Sequence, residues 1–295
     1  MRTNSFKAWF LGIRPNSFCG AALPVIVAAA FAWADSCFHW VVTLLCLLFA
    51  LFAQTVTNLI NEYCDFHNGM DKPENLSPDR MYARGFITPR AMKIGILVSA
   101  LGACGVGMGL LFYGGWALIL IGLVCLLAAY LYTAGPFPLA YHGLGDIAVV
   151  LFFGIVPTCT TYYIQSGCCP PDVICAAVAC GLVVDTMLML NNFRDRDEDR
   201  TNGKHSIVVL LGAAVGKWGY LFLGVAAVSL CALMLLWGRT WGGILPLLYL
   251  IPFLHTWRRI VRIDKGPELD LCFASTARNI VIFGILLTTG ILLGA

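Results

Sequence analysis

Apolar stretches of about 20 residues recur along the whole chain, and each is long enough to cross the hydrocarbon core of a membrane. Backbone groups in lipid must find their hydrogen bonds within the segment, so these stretches are predicted to be helices. The 295 residues are 59% hydrophobic and only 12% charged, whereas a soluble protein of this size carries about 25% charged residues. The composition therefore excludes a soluble enzyme and predicts an all-α integral membrane protein.

We predict nine membrane spans. The segments between them are too short for a separate soluble domain, so residues 1–295 are expected to form one domain. Arg2, Lys7 and Arg14 precede the first span without a small-residue cleavage site, which predicts a retained helix and not a signal peptide. The predicted spans are 17–35, 40–61, 92–112, 116–133, 144–165, 172–192, 217–237, 242–257 and 277–294.

The basic residues are distributed asymmetrically between the two sides of this predicted topology. All of the 19 Lys and Arg residues except Arg239 fall on one side. Cytoplasmic segments of membrane proteins carry the excess of Lys and Arg. We therefore predict a cytoplasmic N-terminus and an outside C-terminus.

Two acidic clusters that also contain asparagine close the second and sixth predicted spans, both on the cytoplasmic side. The first cluster runs from 58 to 71 and the second from 191 to 204. Residues at i, i+3 and i+7 share one face of a helix. One such stripe comprises Asn58, Asn61 and Asp65, and the other comprises Asn192, Asp195 and Asp199.

Carboxylate and amide oxygens are the ligands that Mg²⁺ prefers, and this ion usually binds through one or two carboxylates together with substrate phosphates. The same segments contain side chains that can hold phosphate oxygens, namely Arg80, Arg84, Arg194, Arg200 and Lys204. A cation channel would not need these cations. The pattern favours a magnesium–diphosphate site over the alternative of solvated helix ends with local ion pairs.

Asp185 lies seven residues before Asn192 on the same helical face, deeper in the predicted bilayer. It lines a substrate cavity or forms a structural bond with a neighbouring helix. Ionisable residues at such depth usually face a wet interior, which favours the cavity.

At these residues the chain resembles the UbiA superfamily of membrane prenyltransferases, which carries acidic motifs after its second and sixth helices. Within that superfamily it is most similar to the 1,4-dihydroxy-2-naphthoate polyprenyltransferases. Stretches 58–73, 132–146, 162–165 and, most specifically, 191–204 carry the similarity. Two departures concern the first motif. Glu62 stands where Asp is common, and Gly69 occupies the place of the last Asp, whose role the resemblance assigns to Asp71.

The resemblance implies helices around a central cavity and a Mg²⁺-dependent enzyme of a bacterial inner membrane. Its substrates would be a polyprenyl diphosphate and 1,4-dihydroxy-2-naphthoate, with loss of CO₂ and formation of demethylmenaquinone. The enzyme would be embedded in the lipid bilayer, and no nucleic-acid partner is expected. Two alternatives stay open: the same chemistry on another acceptor such as 4-hydroxybenzoate, and a cation-coupled transporter.

The resemblance also assigns roles to individual residues. The implied metal ligands are Asn61, Glu62, Asp65, Asp71, Asn191, Asp195 and Asp199. The implied catalytic residues are Asp65, Asp195, Asp199 and Lys204. Further contacts to the substrates are assigned to Asn58, Arg80, Arg84, Tyr132, Asp146, Asn192, Arg194 and Arg200. For Tyr132, Tyr141, Tyr162 and Tyr163, stabilisation of an allylic cation competes with a packing or interfacial role.

Overall fold

A computed structural model describes residues 1–67, 69, 80–133 and 139–294. Every regular element within these ranges is helical, which confirms the predicted all-α fold. The α-helices are α1 (Phe6–Gly12), α2 (Phe18–Ala34), α3 (Trp40–His67), α4 (Pro89–Gly114), α5 (Ala117–Thr133), α6 (Gly145–Val150), α7 (Val156–Ser166), α8 (Pro171–Arg194), α9 (Arg196–Thr201), α10 (Ile207–Leu211), α11 (Ala213–Leu233), α12 (Thr240–Ile244), α13 (Leu250–Ile263) and α14 (Asp270–Leu293). A π-helical segment, Leu151–Ile155, joins α6 to α7.

Several helix boundaries follow directly from the local sequence. The Ser5 hydroxyl accepts a hydrogen bond from the Ala8 amide at the start of α1. Thr88 caps α4 in the same way, and Pro89 occupies the first turn, where no amide donor is needed. Gly115 then ends α4 with φ of +70°, a conformation that favours glycine.

Seven helical segments of the described chain are long and apolar enough to cross a membrane, so this is a multi-pass membrane protein. They are Phe6–Ala34, Trp40–His67, Pro89–Gly114, Gly145–Ser166, Pro171–Arg194, Ala213–Trp237 and Asp270–Leu293. The predicted span 116–133 corresponds to α5, whose apolar part, Ala117–Ala128, is shorter.

The predicted span 242–257 is not one continuous α-helix. It corresponds to α12, a 3₁₀ segment at Leu245–Tyr249, and α13. Pro246 lies in the 3₁₀ segment, and a proline inside a helix removes a backbone donor and clashes with the preceding turn. The count of nine uninterrupted spans is therefore not confirmed.

Helix α8 is the most buried of the spans and forms the centre of the fold. It packs against α2, α7, α11, α14 and the π-helical segment. A Cβ at Gly181 would lie 2.7 Å from the Val150 carbonyl oxygen, and one at Gly154 would lie 2.5 Å from the Ala177 carbonyl oxygen. These two glycines let the backbones meet, as small residues do in membrane helix packing, and they fix α6 beside α8.

A polar network lies at the opposite end of α8 from the second acidic cluster. The Tyr162 hydroxyl donates to Asp35 at 2.7 Å, and Arg239 Nε donates to Asp172 at 3.1 Å. Arg239 also pairs with Asp35. The network joins α2, α7, α8 and the start of α12, and it gives the buried Tyr162 a hydrogen bond to Asp35.

Replacing Arg239 with Ala should destabilise the protein, because Asp172 is only 6% exposed and would lose its partner. We expect a loss of about 2–3 kcal/mol, toward the low end for a buried ion pair because Asp35 is partly exposed. Thermal unfolding in detergent measures it, with Arg90→Ala, at the exposed start of α4, as the control. Equal midpoints for the two variants would contradict the structural role of the network.

Candidate active site

The first acidic cluster lies at the end of α3, where Asp65 forms an ion pair with Arg80. Arg80 Nη2 donates to Asp65 Oδ2 at 2.7 Å, and both side chains are partly exposed. The guanidinium of Arg80 therefore neutralises the carboxylate of Asp65. Asn61, one turn earlier on α3, is half-buried.

Glu62 and Asn58 make their hydrogen bonds to backbone and polar groups of neighbouring segments. Glu62 is completely buried, and its Oε1 accepts a hydrogen bond from the Tyr82 amide at 2.7 Å. Asn58 Nδ2 donates to the Ile13 carbonyl and to Ser17 Oγ, both at 2.8 Å. The structure thus places both side chains where they hold the α1–α2 connection and the segment around Tyr82 onto α3.

The second cluster lies at the end of α8. Arg194 donates two hydrogen bonds to the Asp195 carboxylate, at 2.5 and 2.8 Å. The same guanidinium donates to Asp270 at 2.9 Å and lies 4.6 Å from the centre of the Phe273 ring, both on α14. It also donates to Asn191 Oδ1 at 3.1 Å. Arg194 therefore fixes Asp195 and joins α8 to α14.

Asp199 and Lys204 form the other ion pair of the second cluster. Lys204 Nζ lies 3.0 Å from Asp199 Oδ2, and the Lys204 amide donates to the Asp199 carbonyl at 2.9 Å. Gly203 permits this tight return with φ of +72°. Burial raises the pKa of Asp199, and the Lys204 charge opposes that rise.

Three further predicted residues surround this cluster. Asn192 is buried in α8. Arg200 is exposed, and its Nη2 lies 3.5 Å from the Val209 carbonyl oxygen. Arg84 is exposed near the first cluster, with its guanidinium 5.9 Å from the centre of the Phe86 ring.

Tyr141 connects the two clusters. Its carbonyl accepts a hydrogen bond from the His205 amide at 3.0 Å, beside Lys204. Burial raises the pKa of the Tyr141 phenol, and the negative charges of Asp65 and Asp199 raise it further. One carboxylate from each cluster therefore acts electrostatically on the same phenol. That the two clusters form one site stays a prediction.

The carboxylate and amide oxygens of the two clusters are ligands that suit Mg²⁺, but the carboxylates are engaged in ion pairs with Arg and Lys side chains. Among the described residues, no three His, Cys, Asp or Glu side chains converge on one metal-binding point. Three carboxylates are each paired with a basic residue, in the pairs Asp65–Arg80, Asp195–Arg194 and Asp199–Lys204. Asp and Asn oxygens are the hard ligands of Mg²⁺, so the residues fit this ion once those pairs open.

Two other predicted residues cannot be placed relative to this site. Asp71 lies outside the described residues, as does the neighbouring Lys72. Tyr132 belongs to α5, and its side chain is likewise outside the described part of the chain.

A cavity of about 280 Å³ adjoins the second cluster. It is lined by Asp146, Ile147, Val150, Leu151, Asp185 and Leu223. Asp146 lies in the first turn of α6 and interacts electrostatically with Lys204. Asp185 lies in the cavity wall, as the cavity interpretation predicted. Sequence analysis did not identify the apolar lining residues, since they carry no signal that separates them from other membrane-helix positions.

Comparisons with known proteins identify the relatives of this chain. The UbiA prenyltransferase family matches residues 21–290. The chain is similar to 1,4-dihydroxy-2-naphthoate octaprenyltransferase of Escherichia coli K12, with 32% identity over 97% of this chain and 96% of that protein. The Haemophilus influenzae protein of the same name is 30% identical over 100% of this chain and 98% of its own length.

Solved structures show the same fold at low sequence identity. The apo structure of a UbiA homologue from Aeropyrum pernix K1 is 17% identical and superposes with a TM-score of 0.70, over 91% of this chain and 97% of that one. A UbiA homologue from Archaeoglobus fulgidus bound to GPP and Mg²⁺ is 16% identical, with a TM-score of 0.56 over 95% of this chain and 99% of that one. Because the family model matches residues 21–290, nearly the whole length, this chain belongs to the UbiA prenyltransferase family.

Proposed function

We propose that the protein transfers a polyprenyl group from a polyprenyl diphosphate to 1,4-dihydroxy-2-naphthoate, with loss of CO₂, to give demethylmenaquinone. The observation that carries the proposal is that Asp65 of one cluster and Asp199 of the other, each paired with a cation, both act electrostatically on Tyr141. Relatives named 1,4-dihydroxy-2-naphthoate octaprenyltransferase, at 30–32% identity over almost the whole chain, support the choice of acceptor.

The ion pairs of the two clusters explain how a metal–diphosphate complex would be bound. Asp65, Asp195 and Asp199, with Asn61 and Asn191, would hold Mg²⁺. Bound Mg²⁺ supplies positive charge that stabilises a departing diphosphate. Because a new cation takes over the carboxylates, the basic partners of the present pairs become available to phosphate oxygens.

Arg80 and Lys204 are the residues best placed for that exchange. Each now contacts the carboxylate that a metal would claim, at 2.7 and 3.0 Å respectively. Their charge would stabilise the diphosphate as the allylic carbon–oxygen bond breaks and the electron pair leaves with oxygen. The aliphatic lining of the adjoining cavity would disfavour water near the allylic cation before the acceptor ring attacks it.

We also propose that the site faces the cytoplasm in a bacterial inner membrane, with the N-terminus inside and the C-terminus outside. The distribution of Lys and Arg supports this orientation. Arg239, the exception, lies at the other end of α8 and is paired with Asp35 and Asp172. The organisation of residues 1–295 as one domain stays a prediction.

Incubation of the purified protein with Mg²⁺, a radiolabelled polyprenyl diphosphate and 1,4-dihydroxy-2-naphthoate tests the reaction. We expect a lipid-soluble labelled product that disappears when EDTA is added and returns with excess Mg²⁺. Prenylation of 4-hydroxybenzoate in preference to the naphthoate would refute the proposed acceptor. Metal-dependent ion flux in liposomes without any product would instead support a transporter.

Asp65→Asn and Asp195→Asn should each reduce turnover by roughly 100-fold or more, the usual scale for losing one preorganised electrostatic contact to the transition state. Each change removes a charge while the side chain keeps its shape. Asp197→Asn is the matched control, since Asp197 lies in the same segment but is exposed and pairs with Lys265. Full activity in either test variant would contradict a two-cluster site.

Lys204→Ala should raise the KM for the polyprenyl diphosphate by about tenfold, which is the loss expected for one hydrogen bond to a charged group. The KM for the acceptor should change less. Steady-state kinetics with each substrate varied in turn measure both values. Lys265→Ala removes an exposed lysine of the same face and serves as the control. An unchanged KM for the diphosphate would exclude the proposed contact.

A further inference from the structure

Two carboxyl groups in the cavity beside the second cluster are not explained by diphosphate binding. Asp146 lies on α6 and Asp185 lies on α8, and both line the cavity. The two side chains interact electrostatically. Every other lining residue is aliphatic. Such a lining suits an apolar ligand that also carries a hydrogen-bonding group.

Both carboxyl groups carry an oxygen with unmet hydrogen-bonding capacity. Asp185 is 1% exposed, and within the described part of the chain its Oδ1 is buried without a hydrogen-bond partner. The same holds for Oδ1 of Asp146 among those residues. Buried polar atoms in proteins are nearly always hydrogen-bonded, so unpaired carboxyl oxygens at a cavity suit a ligand that carries a hydrogen-bond donor. The two oxygens therefore point to a group that donates hydrogen bonds.

The fold holds these two carboxyls in place through close backbone packing. Gly181 lies one helical turn before Asp185, and a Cβ there would lie 2.7 Å from the Val150 carbonyl oxygen. Val150 is the last residue of α6, and the π-helical segment that follows it adds Leu151 to the cavity wall. Single π-helical turns frequently occur at functional sites. The pair is thus built on packed helices and not on a loop.

The chemistry of the cavity specifies what it would bind. Aliphatic walls suit the faces of an aromatic ring, and carboxyl oxygens accept hydrogen bonds from ring hydroxyl groups. A carboxylate on the ligand would gain no ion pair from the two Asp side chains. It would turn instead toward Lys204, which already interacts with Asp146. This arrangement orients a hydroxylated aromatic acid with its hydroxyl inward and its acid group toward the diphosphate site.

We propose that Asp185 and Asp146 bind a ring hydroxyl of the aromatic acceptor and so select hydroxylated acceptors and orient the ring. The proposal rests on the proposed prenyl transfer and assigns its acceptor subsite. Asp185 is then a specificity-determining residue, set apart from the carboxylates that bind the metal–diphosphate complex.

The test combines a change in the protein with a change in the acceptor. Asp185→Ala should raise the KM for 1,4-dihydroxy-2-naphthoate by about ten- to a hundredfold, the scale of leaving one buried hydrogen-bonding group of the ligand unpaired. The KM for the polyprenyl diphosphate should not change. A methyl ether of 1,4-dihydroxy-2-naphthoate, in which a ring hydroxyl is methylated, should bind wild-type protein more weakly than the parent acid, as measured by equilibrium binding. Asp185→Ala should bind the two compounds equally.

Leu223→Ala is the matched control, because it enlarges the same cavity without removing a hydrogen-bond acceptor. It should retain the preference for the parent acid over the methyl ether. Asp185→Asn and Asp146→Asn keep the side-chain shape and provide the same comparison if Asp185→Ala does not fold.

The outcomes separate this proposal from the proposed function. Prenylation by wild-type protein with an unchanged acceptor KM and an unchanged preference in the Asp185 and Asp146 variants would overturn the subsite alone. Wild-type protein that prenylates no hydroxylated aromatic acid would overturn the proposed function, and the subsite with it. Selective loss of the hydroxyl preference in the variants would support both.

Discussion

Charged groups at the end of a membrane helix must be neutralised, and this constraint governs the polar architecture of the protein. At one end of α8, Asp195 and Asp199 are paired with Arg194 and Lys204. At the other end, Asp172 is paired with Arg239. The same physical requirement thus produces ion pairs at both ends of α8.

Arginines at both ends join separate parts of the fold. Arg239 pairs with Asp35 and Asp172, and Arg194 pairs with Asp195 and Asp270. Lys204 and Arg80 pair with Asp199 and Asp65, which are two predicted metal ligands. If Mg²⁺ binds these carboxylates as proposed, the two basic side chains would lie beside the phosphate oxygens of the substrate.

Much of this arrangement could be predicted from the sequence because hydropathy and helical periodicity report on whole helices. The apolar stretches identified most membrane helices, and the spacing of Asn and Asp placed the two clusters at the ends of α3 and α8. The position of Asp185 in a cavity wall also followed from its depth and helical face. The broken segment from α12 to α13 did not, because its apolar composition masks the effect of Pro246.

Helical spacing gives the face of a residue but not the partner that its side chain finds. Asn58 shares a stripe with Asp65, yet it bonds Ile13 and Ser17 in a connection that is distant in sequence. Glu62 reaches the Tyr82 amide with its additional methylene. Arg194 extends to α14, a contact that depends on the packing of helices far apart in the chain. Such contacts arise only when the tertiary fold is complete.

The central claim is that the two acidic clusters bind one metal–diphosphate complex. Crystals grown with Mn²⁺ in place of Mg²⁺ and a non-hydrolysable prenyl thiodiphosphate would locate the metal by its anomalous scattering. The account predicts metal density between Asp65 of the first cluster and Asp195 and Asp199 of the second, with Arg80 and Lys204 turned to the phosphate oxygens. Metal bound by one cluster alone, with the other pairs still closed, would contradict it.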